Sequence, residues 1–146
     1  MGQNMAEEFI QLMLSLEKAA RQHCKELKGD LQFTEKQFRT MMALQKIGRV
    51  KLKELSKIIN ISNSSICIML NKMVEDGYAQ RETDTEDRRD MYYFLTEKGN
   101  QLVQNETKRR TERLNMLFES KLNEADRDLL LTSVVNMREI VSKMTE

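Results

Sequence analysis

The sequence predicts a mainly α fold with a small β-hairpin (α+β), and three observations carry that expectation. The 146 residues include no proline and only five glycines, a composition that favours long helices with short connections. Apolar residues recur at three- and four-residue spacing over most of the chain, the period of an amphipathic helix. Between Tyr78 and Leu95 the period changes to alternation, which is the pattern of paired strands.

Composition bounds the rest. At this length the chain suits one domain, or one domain with helical extensions. Charged residues make up 32% and apolar residues 40%, typical of a soluble protein rich in surface helix. No apolar run approaches ~18 residues, so no membrane span is expected. The start M-G-Q-N-M-A lacks a basic or apolar signal region, which fits a cytoplasmic protein. The two cysteines, Cys24 and Cys67, lie far apart and read as free thiols. One His and two distant Cys cannot assemble a structural zinc site, which needs about four ligands. No metal and no cofactor are expected. No Gly-rich phosphate loop, paired carboxylates or Ser–His arrangement points to an enzyme.

Net charge is only +1, but the charges are segregated. Lys46, Arg49, Lys51, Lys53 and Lys57 face a single acid, Glu54, over one short stretch. Lys108, Arg109, Arg110 and Arg113 form a second cluster, which reads as a solvated helix face. The last quarter turns acidic with Glu119, Glu124, Asp126 and Asp128. Such segregation hints that one region meets an anion.

The elements follow in order. Phe9, Leu12, Met13, Leu16, Ala19, Ala20 and Leu27 predict an amphipathic helix closed by Gly29. Thr34 opens a second helix through a capping box with Gln37, with Phe33 and Phe38 at the staple positions, and Gly48 ends it. A short helix over 52–59 comes next, then a tight turn at Asn60-Ile61, where Asn tolerates a left-handed backbone. Ser62 caps a further helix to 76, with Ile66, Met69, Leu70 and Met73 on its buried side. Small Ser56 permits the two helices to cross closely, and Leu55, Ile61, Ile66 and Leu70 supply the wedge between them. This is the layout of a helix-turn-helix. Tyr78–Thr83 and Met91–Leu95 form a hairpin directly after it, which makes a wing. Thr96 then caps a long helix to about 122, and Asn123 caps another to Met144.

Much of 96–113 is polar all round, as in a helix that bridges parts of a structure. The first and last helices carry apolar stripes that a roughly 65-residue core cannot cover, which predicts a two-fold homodimer. The expected organisation is an N-terminal dimerisation helix at 1–32, a winged core at 33–99, and C-terminal dimerisation helices at 100–146.

The runs F-T-E-K-Q-F, L-K-E-L-S-K, I-S-N-S-S-I, L-N-K-M-V-E-D-G-Y and D-R-R-D-M-Y-Y-F-L-T-E-K-G resemble the MarR family of bacterial transcriptional regulators. The resemblance covers about Phe33 to Gly99, and the flanking helices have the expected lengths. It implies a homodimer that binds a pseudo-palindromic double-stranded DNA operator. It also implies release by a small lipophilic or anionic effector, or by thiol oxidation.

On that expectation the recognition helix offers Ser62, Asn63, Ser64, Ser65, Cys67, Ile68, Asn71 and Lys72. Ser and Asn can read base edges, an apolar side chain can meet a thymine methyl, and Lys72 can pair with phosphate. The free N–H groups of the helix start, from Ser62 to Ser65, also suit phosphate. Where relatives often carry Thr-Arg, this chain has Cys67-Ile68, which predicts weaker guanine readout and A·T-rich sites. In the wing, Arg89 with Arg88 would enter a narrow minor groove, and the family's D-x-R pattern makes Asp87 the residue that orients the arginine. Lys51, Lys53 and Arg81 are further phosphate candidates. Met13, Met41 and Met42 could line a deformable ligand pocket, although such methionines are more often plain core. Two rival readings remain. One is a winged-helix module whose basic 46–57 face docks an acidic protein. The other is a thiol-based redox sensor working through Cys67, since Cys24 lies too near Thr34 for the family's peroxide-sensing position.

Overall fold

The computed structural model describes residues 4–23 and 33–144. Its elements are α1 (Met5–Gln22), α2 (Glu35–Ile47), β1 (Val50–Lys51), α3 (Leu52–Ile59), α4 (Asn63–Glu75), β2 (Ala79–Thr83), β3 (Met91–Leu95), α5 (Glu97–Lys121) and α6 (Glu124–Ser142). The chain divides into two compact units, Asp30–Lys108 and a second made of Met1–Gly29 with Arg109–Glu146.

In the 30–108 unit, local chemistry sets each helix boundary. Thr34 Oγ1 accepts from the Gln37 amide and Gln37 Oε1 accepts from the Thr34 amide, a complete capping box. Gly48 ends α2 at φ 87°, a backbone that glycine adopts without a Cβ clash. Asn60 ends α3 at φ 53° and ψ 50°. Ser56 Oγ donates to the Ile61 carbonyl at 2.5 Å, tying the turn back to α3. Ser62 then caps α4 by accepting from the Ser65 amide.

The core lies between these helices and the sheet. Met41 and Leu44 of α2, Leu55 of α3, Ile66, Leu70 and Met73 of α4, and Tyr93 and Leu95 of β3 are buried together. Ile61 and Met69 are half-buried rather than buried, and the Met69 sulfur accepts from the Thr40 hydroxyl. Phe33 does not close a staple alone, because its ring meets Tyr78 edge-on with centroids 5.2 Å apart.

The sheet has three strands in the order β1-β3-β2, all antiparallel. The hairpin register runs from Ala79 opposite Leu95 to Thr83 opposite Met91. The third strand, β1, was not expected from the sequence, since two residues are too few to show a period. It exists because Val50 and Lys51 pair with Tyr93 and Tyr92. Thr96 joins the wing to α5: its hydroxyl donates to the Gly77 carbonyl at 2.7 Å and accepts from the Gly99 amide at 3.1 Å.

In the other unit, α1 starts four residues earlier than the apolar pattern suggests, because Asn4 Oδ1 accepts from the Ala6 amide. The expected stretch to Leu27 and its stop at Gly29 lie outside the described residues, as does Cys24. Asn123 caps α6 by accepting from the Asp126 amide at 2.8 Å. Neither α1 nor α6 buries a single described residue. Phe9, Ile10, Leu14 and Leu16 of α1, and Leu129, Val134 and Ile140 of α6, are all exposed.

Candidate nucleic-acid interface

Helix α4 presents its outer face through residues opposite the Ile66–Leu70–Met73 stripe. Ile68 is 73% exposed, and Ser64 is exposed beside it. Asn63 is exposed at the first turn. Ser62 and Ser65 are engaged with one another, Oγ to Oγ at 2.9 Å, in addition to the cap. Cys67 is half-buried and accepts from Asn71 Nδ2 at 3.7 Å. Lys72 pairs with Asp76 at 3.0 Å, and the hydrogen bond its ammonium donates to that carboxylate raises the lysine above its ordinary pKa.

The wing tip, 84–90, is pinned by its acids. The Asp84 amide donates to the Asp90 carbonyl at 3.0 Å, closing the loop. Asp84 Oδ1 accepts from the Glu86 amide, and Asp87 Oδ1 accepts from the Arg89 amide, each at 3.0 Å. These are Asx turns, in which a short carboxylate replaces a backbone acceptor. Asp87, expected to orient the arginine, holds Arg89 through its backbone amide. The Arg88 and Arg89 side chains are exposed and have no ion-pair partner among the described residues.

Of the three phosphate candidates outside the helix and wing tip, the Lys53 side chain alone has no ion-pair or hydrogen-bond partner among the described residues. Lys51 Nζ lies 2.7 Å from Asp84 and 3.1 Å from Asp90. Those two hydrogen bonds hold the ammonium well above the usual lysine range. In return Lys51, with the Glu86 amide, draws the nearly buried Asp84 carboxyl below its ordinary value. Arg81 Nη1 donates to Asn71 Oδ1 at 3.1 Å. Arg49, part of the same basic run, stacks over the Tyr92 ring at 4.2 Å and pairs with Glu82. The basic run is thus partly internal wiring rather than a uniform cationic face.

Two clefts bring site residues together. One of about 430 Å³ lies between the β1–α3 junction and the wing, touching α4 only at Cys67, with Lys51, Lys53, Glu54, Arg89, Asp90 and Tyr93 among its other lining residues. The other, also about 430 Å³, sets Lys36 and Arg39 of α2 beside Asn60, Ser62 and Ser65 at the start of α4. Lys36 and Arg39 were missed by sequence reasoning. Their three-residue spacing puts them on one helix face, yet an ordinary solvated face has the same signature. The three methionines do not behave alike. Met41 is fully buried in the core of the 30–108 unit, whereas Met13 and Met42 are 56% and 43% exposed.

A helix-turn-helix followed directly by a β-hairpin defines a winged helix-turn-helix. Residues 33–91, which run through the helix-turn-helix and the wing loop, match the model of the MarR family. Over 72 residues the chain is 31% identical to the HTH-type transcriptional regulator SarZ of Staphylococcus haemolyticus, covering 49% of this chain and 48% of that protein. It spans about half the length of the first curated relatives it matches. Among solved structures it resembles RV1404 from Mycobacterium tuberculosis, with a TM-score of 0.78, 20% identity and 97% of each chain covered. It also resembles a MarR mutant from E. coli complexed with operator DNA, with a TM-score of 0.62, 20% identity, and 90% and 99% of the two chains covered. These structural likenesses establish the fold. No helix among the described residues is long and apolar enough to cross a membrane.

Proposed function

We propose that this chain is a MarR-like transcriptional regulator, a repressor that binds a pseudo-palindromic duplex operator as a homodimer. The observation that carries the reading is the cleft where the start of α3, the Cys67 edge of α4 and the wing meet. The exposed Arg89 guanidinium, the free Lys53 and the Cys67 edge of the recognition helix border one space. Helix α4 enters the major groove with Ser64, Ile68 and Asn71 toward base edges, and Arg88 and Arg89 enter the adjacent minor groove. Phosphate contacts come from Lys53, with Lys36 and Arg39 beside the α4 start. Cys67-Ile68 leaves the reading face without a guanidinium of its own, so half-sites are A·T-rich. The apolar, unburied faces of α1 and α6 support the homodimer, since so much exposed Phe, Leu, Val and Ile signals a contact surface. A small lipophilic or anionic effector releases the complex.

A salt titration of duplex binding tests the reading. Counterion release makes log K fall linearly with log salt, by roughly 0.9 per neutralised phosphate. If Lys36, Arg39 and Lys53 each neutralise a phosphate in both protomers, the slope approaches about −5. No retention of any duplex at ~50 mM salt ends the DNA reading and leaves the protein-docking module in its place. Enrichment of G-rich half-sites in a binding-site selection contradicts the A·T preference.

A further inference from the structure

Arg81 was read from the sequence as a phosphate contact, yet its guanidinium is committed to another group. Arg81 lies on β2 opposite Tyr93 of β3 and reaches across to α4, where Nη1 donates to Asn71 Oδ1 at 3.1 Å. We propose that Arg81 is a specificity-determining positioning residue, which holds the Asn71 amide in one orientation so that it meets a base as a single donor. The proposal rests on the DNA reading above and deepens it.

The chemistry settles which way the amide points. A guanidinium has donors only, so the oxygen of Asn71, not the nitrogen, must face Arg81. The amide nitrogen is then turned toward Cys67, whose sulfur it approaches at 3.7 Å. A primary amide carries two N–H groups, and one remains free. A free asparagine can read adenine with a two-bonded fork, its oxygen accepting from N6 while its nitrogen donates to N7. Here Arg81 occupies one of the oxygen's two lone pairs and, with Cys67 on the nitrogen side, fixes the amide plane so that the oxygen no longer turns to face adenine N6. Asn71 is left to donate to one acceptor on a base edge. Beneath this group Tyr93 is buried; burial pushes its phenol up, while a hydrogen bond with Arg81 pulls it down. A side chain held from a strand by the guanidinium does not re-aim freely when it meets a base.

The test compares wild type, Arg81→Met and Arg81→Lys on operator half-sites randomised one position at a time. Each variant is also made in an Asn71→Ala background. Release of the amide changes base preference at one position per half-site by roughly three- to tenfold, toward adenine, and the change vanishes without Asn71. Arg81→Lys shifts the preference too, because lysine lacks the planar fork that sets the amide. The proposal is overturned if both variants lose affinity uniformly across sequences, with a salt slope lower by about 0.9 per protomer, since that is the signature of a phosphate contact. Arg81 is exposed, and if the methionine variant does not fold, the lysine variant decides alone. If wild type selects no duplex sequence at all, the DNA reading itself fails. Selective wild-type binding with unaltered preference in the variants sinks only this inference.

Discussion

Gly99→Ala sets two effects of opposite sign against each other at the junction of wing and α5. A Cβ built on Gly99 would lie 2.1 Å from the Tyr78 carbonyl oxygen, 3.0 Å from its carbon and 3.3 Å from a Leu95 methyl. Non-bonded contacts of carbon rest near ~3.5 Å, so the start of α5 must retreat by about 1.4 Å from the 2.1 Å approach. The obstacle is backbone, which cannot swing aside as a flexible side chain would. That same carbonyl accepts from the Thr96 amide at 3.0 Å. Thr96 in turn bonds Gly77 and Gly99, so the retreat stretches three hydrogen bonds at once. Partial loss of three bonds worth ~0.5–1.5 kcal/mol each, with overpacking of ~1–3 kcal/mol, outweighs the ~1 kcal/mol that alanine gains over glycine in a helix. The expected balance is a loss of about 2–4 kcal/mol. Urea unfolding followed by far-UV circular dichroism, at fixed protein concentration and with m unchanged, reads it as a lower midpoint. A midpoint equal to or above wild type would show that helix propensity governs the site and that the close approach does not matter.

Three further outcomes follow from the geometry. Arg89→Ala is expected to weaken operator binding by ~1–3 kcal/mol with an unchanged melting temperature, and wild-type affinity in a titration would return the wing tip to an ordinary solvated turn. Leu70→Ala removes a fully buried side chain and should cost ~2–5 kcal/mol of stability, read as a lower urea midpoint; a loss under ~1 kcal/mol would mean the core collapses around the gap. Asp84 has a lowered pKa, so its contribution is present above the ordinary aspartate value of 3.8 and is lost as pH falls through the lowered one. Lys51 is raised, so its share persists in acid until its carboxylate partners protonate and is otherwise lost only as pH rises through the raised value. The acid limb of a stability–pH profile should therefore flatten in Asp84→Asn, and a superimposable profile would show the clamp to be inert.

The acids around Arg88 and Arg89 show what was legible and what was not. The composition T-D-T-E-D-R-R-D marks a tight polar loop, and the alternation on either side marks its strands. That Asp87 binds an amide while Asp84 and Asp90 bind Lys51 could not be read there, because the partner stands on β1, a strand invisible in the sequence. The expectation that Lys51 and Arg81 meet phosphate treated each cation as free. Only the folded chain shows both already engaged.

The local decisions are legible in the order of residues alone. The capping box at Thr34 and Gln37, the left-handed turn at Asn60, the Ser62 cap and the L-T-E-K-G join all act within a few residues. Each depends on residue type and spacing, which a linear string contains. The tertiary structure decided the third strand, the free or engaged state of every cation near the candidate DNA face, and the cleft that brings Lys36 and Arg39 to the start of α4. Those are contacts between residues far apart in sequence, such as Lys51 with Asp90. Charge pairing depends on distance in space, and only the packed core brings such residues within hydrogen-bonding reach.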